Sequence, residues 1–169
     1  QIYCAENIFS KSDNFNVGLS WRGGTLETRQ HHRTIDFDEL AKALQNFSGK
    51  LYSIQHGDSE KEIHILNKKY GLNIQYIPSE FRNDINNLSS IMMNLDLIIT
   101  VQNTNVHLAG SLGRKCVALI TKFPEWRYGI NENMMDWYSS VHLLRQSYNG
   151  DWKDVIVNLK KILGSCLAE

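Results

Sequence analysis

The run from Leu95 to Gly113, LDLIITVQNTNVHLAGSLG, leaves few folds open to this chain. Leu95, Leu97, Ile98, Ile99 and Val101 form a nearly unbroken apolar strand, which suits a central parallel strand covered on both faces. Asn103, Thr104 and Asn105 then supply capping side chains, and a helix opens directly behind them. Such a helix start presents free backbone N–H groups and the positive end of the helix dipole, so the junction is suited to hold an anion such as a phosphate. The same residues would also serve as a plain structural cap, and this stretch by itself does not choose between the two.

The rest of the chain alternates strand and helix signals with short polar connections. Strands are expected at Asn14–Trp21, Lys50–Gln55, Ile74–Ile77, Leu95–Val101, Lys115–Thr121 and Val141–Leu144. Phe37 to Phe47 places Phe37, Leu40, Ala41, Leu44 and Phe47 on one helical face. Further helices are expected from Ser59 to the glycine stop at Gly71, at Asp84–Asn94, at Val106–Leu112 and at Asp151–Leu163. The sum is α/β: a Rossmann-like, doubly wound parallel sheet of six strands with helices on both faces. Residues 1–13 read as a lead-in and residues 14–169 as one domain, without repeats or linkers. Gln1 in place of a starting Met suggests an excised segment of a longer chain.

Composition narrows the function. Eighteen basic and eighteen acidic residues cancel, so no broad attraction to nucleic acid or to an anionic membrane is implied. No apolar run approaches the about 18 residues of a spanning helix, and there is no signal-peptide pattern. Cys4, Cys116 and Cys166 lack metal-ligand spacing and read as free thiols, which points to a cytoplasmic setting. The dinucleotide glycine fingerprint, the P-loop, His-Glu-x-x-His and Gly-x-Ser-x-Gly are all missing. Hydride transfer, ATP hydrolysis, zinc hydrolysis and serine hydrolysis therefore lose their support.

In open α/β sheets the ligand crevice lies beyond the C-terminal strand ends. After the first strand stand Ser20, Trp21, Arg22, Gly23 and Gly24, where a guanidinium can grip a diphosphate and two glycines let backbone approach closely. His31, His32 and Arg33 add positive potential. Gln55, at the tip of the second strand, is placed either to read a base edge or to make a turn. The third strand ends at Ile77 and Pro78, with no decisive chemistry in its loop.

Taken in order, Val17-Gly18-Leu19-Ser20-Trp21-Arg22-Gly23, His107-Leu108-Ala109-Gly110-Ser111-Leu112-Gly113, Glu125-Trp126-Arg127-Tyr128, Trp137-Tyr138, Leu144-Arg145-Gln146 and Gly150-Asp151-Trp152 resemble the C-terminal part of glycosyltransferase-9-like proteins. These are related to heptosyltransferases and are often fused to tetratricopeptide repeats. The resemblance covers nearly the whole chain from about Asn14. It implies one half of a GT-B architecture, the half that holds the nucleotide diphosphate sugar, with an upstream Rossmann-like domain and repeats as partners. It implies no metal cofactor.

By the same resemblance, Thr104, Asn105 and His107 fall at the start of the diphosphate-binding helix, with His107 one turn in and able to reach the phosphates. Arg22 and Arg33 match positions of polar or basic groups near the diphosphate, suited to offset leaving-group charge, and Ser20 and Gly23 stand in the same matched segment. Trp126 and Arg127 match an aromatic-basic segment, in which Trp126 either flanks the base or sugar or packs the domain edge. Trp137, Tyr138 and Trp152 read as core or edge packing. One departure stands out: the family has Asp-Thr where this chain has Gln102 and Asn103, and an amide cannot act as a charged acceptor or a base. Two functions follow, a glycosyltransferase donor domain or a degenerate module that binds a nucleotide sugar or a protein without chemistry. A sugar-nucleotide epimerase would need a carboxylate pair that the sequence does not offer.

Overall fold

The structure is a computed structural model and describes residues 8–9, 14–24, 30–130, 132–147 and 149–166. Most of the lead-in, Cys4 and the side chain of His31 lie outside the described residues. The strands are β1 (Asn16–Ser20), β2 (Lys50–Ser53), β3 (Ile74–Tyr76), β4 (Leu97–Val101), β5 (Cys116–Ile120), β6 (Met134–Met135) and β7 (Tyr138–Arg145). The α-helices are α1 (Phe37–Leu44), α2 (Glu60–Tyr70), α3 (Ser79–Arg82), α4 (Ile85–Met93), α5 (Thr104–Ser111) and α6 (Lys153–Cys166), with short 3₁₀ turns at Gln30–His32 and Trp126–Tyr128.

The sheet order is β3-β2-β1-β4-β5-β7-β6, parallel throughout except for the β6–β7 pair. The architecture is the expected Rossmann-like α/β layer. The described residues form seven strands where the sequence predicts six: β6 is two residues long, too short to show a period, and pairs through a bulge with the outer edge of β7. The one-turn helix α3 was likewise not expected.

Side chains alternate across β4, all five residues of which are buried. Leu97, Ile99 and Val101 join a core layer under α1, α2 and α6, while Ile98 joins the opposite layer with Leu88, Ile91, Met92, Val106 and Ala109 from α4 and α5. Phe9, in the stretch read as lead-in, packs on Tyr52 with ring centroids 4.7 Å apart. The starts of α1 and α4 are locally encoded. Asp36 accepts from the Asp38 N–H at 2.8 Å to open α1, and Asp84 accepts from the Asn86 and Asn87 N–H groups to open α4. Gly71 ends α2 in the left-handed conformation that glycine adopts without strain.

From β1 the chain winds outward through β2 and β3, then returns to lay β4 against the other side of β1. This reversal is the topological switch point, so the loops leaving β1 and β4 diverge and leave a crevice between them. On the far side, the connection from β5 to β7 is pinned by Arg145, whose guanidinium donates to the carbonyls of Tyr128, Gly129 and Glu132.

Candidate functional site

Three loops meet above the switch point, and two amides hold them together. Asn103 caps α5: its Oδ1 accepts from the Asn105 N–H at 2.9 Å and from the Thr100 hydroxyl at 3.0 Å. Its Nδ2 donates to Ser20 Oγ at 2.9 Å and to the Arg22 carbonyl at 3.2 Å, which ties the β4 loop to the β1 loop. Gln55 does the same from β2. Its Oε1 accepts from the Trp21 and Arg22 N–H groups at 2.9 and 2.8 Å, and its Nε2 donates to the His56 carbonyl at 3.1 Å. Asn105, itself buried, donates to the Ile54 carbonyl at 3.2 Å.

Between these loops lies a cavity of about 400 Å³. Arg22, Gly23, Gln55, Asn103, Thr104 and Asn105, all singled out in the sequence, line it together. Their roles there differ. Ser20 and Gln55 are almost wholly buried and bond to the scaffold, so they shape the loop. A Cβ on Gly23 would lie 2.6 Å from the Gln102 carbonyl oxygen, so this glycine is needed for the β1 and β4 loops to touch. In the first turn of α5, the Asn105 N–H is used by the cap and the Val106 N–H meets the Asn103 carbonyl, while the Thr104 N–H has no partner among the described residues.

None of the three arginines chosen from the sequence is free. Arg22 pairs with Glu62, whose other oxygen accepts from Trp21 Nε1 at 3.1 Å. Arg33 pairs with Glu125, which also binds Arg127 Nη1 at 2.6 Å. Arg33 and Gln102 line a second cavity, of about 610 Å³, beyond β5 and β7. There Gln102 Oε1 accepts from the Thr121 hydroxyl at 2.7 Å, while its buried Nε2 has no partner among the described residues.

His107 lines neither cavity. Its ring sits among Tyr128, Trp137 and Tyr138, with centroids 5.9, 6.3 and 6.0 Å away. Burial, and then the Arg127 charge, hold its pKa below the ordinary histidine value. The unfolded chain therefore binds a proton at His107 more readily than the folded one does. The stability this contributes is present above the unfolded pKa and is lost as pH falls through it toward the folded value. Acidification below about pH 6.5 is expected to lower the melting temperature more in the wild type than in His107→Gln, as read by circular dichroism melts. Parallel pH profiles would refute this.

Trp126 is 73% exposed and meets the half-exposed Trp137 at 5.6 Å, with the Arg127 guanidinium over the Trp126 ring. Trp137 is thus a surface residue, while Tyr138 and Trp152 pack against the two core layers as read from the sequence. Tyr138 lies so close to α5 that any Cβ at Gly110 would overlap its ring.

The loop after β3, which showed no decisive chemistry in the sequence, supplies a residue the reading missed. Arg82 lines the 400 Å³ cavity and is only 3% exposed. Its Nε donates to the Ile77 carbonyl at 2.5 Å and its Nη1 to the Gly57 carbonyl at 3.1 Å, with the Tyr76 ring 5.2 Å away. Burial presses its pKa down, against the favourable influence of Tyr76 and Asp58. No single-sequence signal marks it, because its burial follows from where α3 docks.

A mostly parallel α/β sheet with a crevice at its switch point defines the class of Rossmann-like folds. The solved structures it resembles include a glycosyl transferase family 9 protein from Veillonella parvula, with a TM-score of 0.61, 12% identity, and coverage of 84% of this chain and 38% of that one. They also include the ADP-heptose heptosyltransferase II of E. coli, with a TM-score of 0.56, 16% identity, and coverage of 96% of this chain and 50% of that one. Among curated proteins the chain is similar to Protein FlbA of Caulobacter vibrioides, 24% identical over 138 residues, which are 81% of this chain and 23% of FlbA. No protein family model matches. The fold is therefore that of glycosyltransferase structures, and the chain spans half or less of each protein it resembles. No helix among the described residues is long and apolar enough to cross a membrane.

Proposed function

We propose that this chain is the donor-binding domain of a GT-B glycosyltransferase, which moves a sugar from a nucleotide diphosphate sugar to an acceptor. The observation that carries the reading is the cavity at the switch point, where the Thr104 N–H, the start of α5 and the glycines of the β1 loop converge. A diphosphate seated there meets a preorganised donor and a helix dipole, which stabilise the negative charge that grows as the bond to the anomeric carbon breaks. Arg22 adds positive charge at the rim, moderated by Glu62. Arg33, with Gln102, borders the second cavity, where the sugar and acceptor side of the reaction is placed in this reading. His107 acts from behind the helix, and no catalytic base is assigned within this chain. An upstream Rossmann-like domain completes the cleft.

One observation favours the non-catalytic alternative. Gln102 stands where the resembled family carries Asp, and its amide oxygen is turned to Thr121. A thermal-shift titration with UDP, GDP, ADP, CDP and dTDP tests binding. A cognate nucleotide at about 100 times its Kd is expected to add about 2.7 kcal/mol of stability. Stabilisation by none of the five, at millimolar concentration, would overturn the donor-site reading.

A further inference from the structure

We propose that the second cavity takes a sugar bearing an anionic group, a carboxylate or a phosphate. The inference rests on the donor-site reading above and deepens it, by giving a substrate class to the sugar side of the site.

This cavity, of about 610 Å³, has the size of a small-molecule site and is lined by residues that follow β4, β5 and β7. Gln102 lines it, while the next residue, Asn103, lines the first cavity, so the two spaces flank the end of β4. In the donor-site reading, a diphosphate at the start of α5 directs its sugar across this point.

The charges around the second cavity do not balance. Arg33 and Lys122 line it, and Glu125 is the one carboxylate among its lining residues. That carboxylate is divided: Oε1 pairs with Arg33, and Oε2 pairs with Arg127 at 2.6 Å. One negative charge thus serves two guanidiniums, and the Lys122 ammonium comes in addition, 5.2 Å from the centroid of the Phe123 ring. Asp151, next to the lining residue Gly150, accepts from the Lys153 N–H at 3.0 Å at the start of α6. The surplus is therefore positive. In a concave site with partly buried charges, where water and salt screen them less than on an open surface, that surplus favours an anion. A guanidinium also offers a fork of donors that matches a carboxylate or a phosphate.

The rest of the lining suits a sugar. Gln102, Thr121, Gln146 and Asn149 are neutral and carry both donors and acceptors, as a ring of hydroxyls requires. Gln146 is also held in place, since its Oε1 accepts from the Lys122 N–H at 3.0 Å. The Phe123 ring, 82% exposed, adds a flat apolar face against which the C–H face of a sugar can pack.

Amide NMR titration of the whole chain with glucuronate, glucose 6-phosphate and glucose, at tens of millimolar and constant ionic strength, tests this. At least one of the two anionic sugars is expected to shift the Thr121, Lys122 and Gln146 signals and to bind about tenfold or more tightly than glucose, the scale of a hydrogen bond to a charged group. The tighter of the two identifies the anion as carboxylate or phosphate. In Arg33→Gln and in Lys122→Gln, whose spectra also report whether the fold is kept, the preference over glucose should fall at least about threefold. Glucose binding as tightly as both anions overturns the proposal, as do shifts by none of the three, shifts confined to Thr104 and Asn105, or a preference that survives both substitutions. Nucleoside diphosphates should instead shift Thr104 and Asn105, so failure of the donor-site reading is seen separately. If they shift Thr121 and Lys122 in their place, the positive charge serves the diphosphate and both readings fall.

Discussion

Trp21→Ala is expected to cost about 3–5 kcal/mol, the usual price of removing a large aromatic side chain from a packed core. Trp21 is 1% exposed and meets Phe37 of α1 edge-on, with centroids 4.6 Å apart. Its backbone N–H donates to Gln55 and its carbonyl accepts from the Ile35 N–H at 3.1 Å, so the residue joins β1, the loop after β2 and the approach to α1. The loss would be a large part of the 5–15 kcal/mol that holds a domain of this kind together. Trp21→Phe keeps most of the packing and removes the Nε1 bond to Glu62, and is expected to lose about 1 kcal/mol or somewhat more, given the remaining cavity. Urea unfolding of both variants measures the difference. A loss below about 1 kcal/mol for the alanine variant would mean that the neighbours close the gap, contrary to dense packing around the indole.

The parts of this molecule that the sequence discloses are those encoded within a few residues. β4 and β5 read directly because both faces are covered and every position but Thr100 is apolar, and the α5 start reads because its cap is adjacent to its first turn. Gly23 and Asn103–Asn105, all within or beside such local patterns, line the cavity between the β1 and β4 loops. β6 did not read, since two residues at a sheet edge carry no period and most of β7 beside it is only partly covered.

Side-chain partnership is the part that local patterns do not contain. Arg22 is 40 residues from Glu62, and Arg33 meets Glu125 only because the β5–β7 connection folds over the β1 loop. An arginine beside glycines at a strand end therefore looks available in the sequence and is paired in the fold. Arg82 shows the converse: it follows an unremarkable strand end, yet docking of α3 buries it against two carbonyls. Gln55 also changed meaning. A glutamine at a strand tip has the donors and acceptors to read a base, but here both ends of its amide hold backbone.

Asn103 is where scaffold and ligand chemistry separate most cleanly. Asn103→Ala removes the α5 cap and both ties to the β1 loop, and is expected to cost about 2–4 kcal/mol, combining a helix cap with neighbouring hydrogen bonds. Asn103→Asp keeps an oxygen to accept from the Asn105 N–H, and its charge suits a helix N-terminus. It loses the Nδ2 donations to Ser20 and to the Arg22 carbonyl, so it should retain more stability than the alanine variant, with a deficit of about 1–2 kcal/mol. Nucleotide binding should move the other way. A carboxylate beside the Thr104 N–H repels the diphosphate that the cavity is proposed to hold, so Asn103→Asp should lose more than tenfold in affinity, about 1.4 kcal/mol or more, despite its firmer fold. Raising the salt concentration should recover part of that loss, because screening weakens charge repulsion and does nothing for a missing cap. If the aspartate variant bound nucleoside diphosphates as tightly as the wild type, the phosphate would not lie at the α5 N-terminus, and the donor-site reading would lose the contact that carries it.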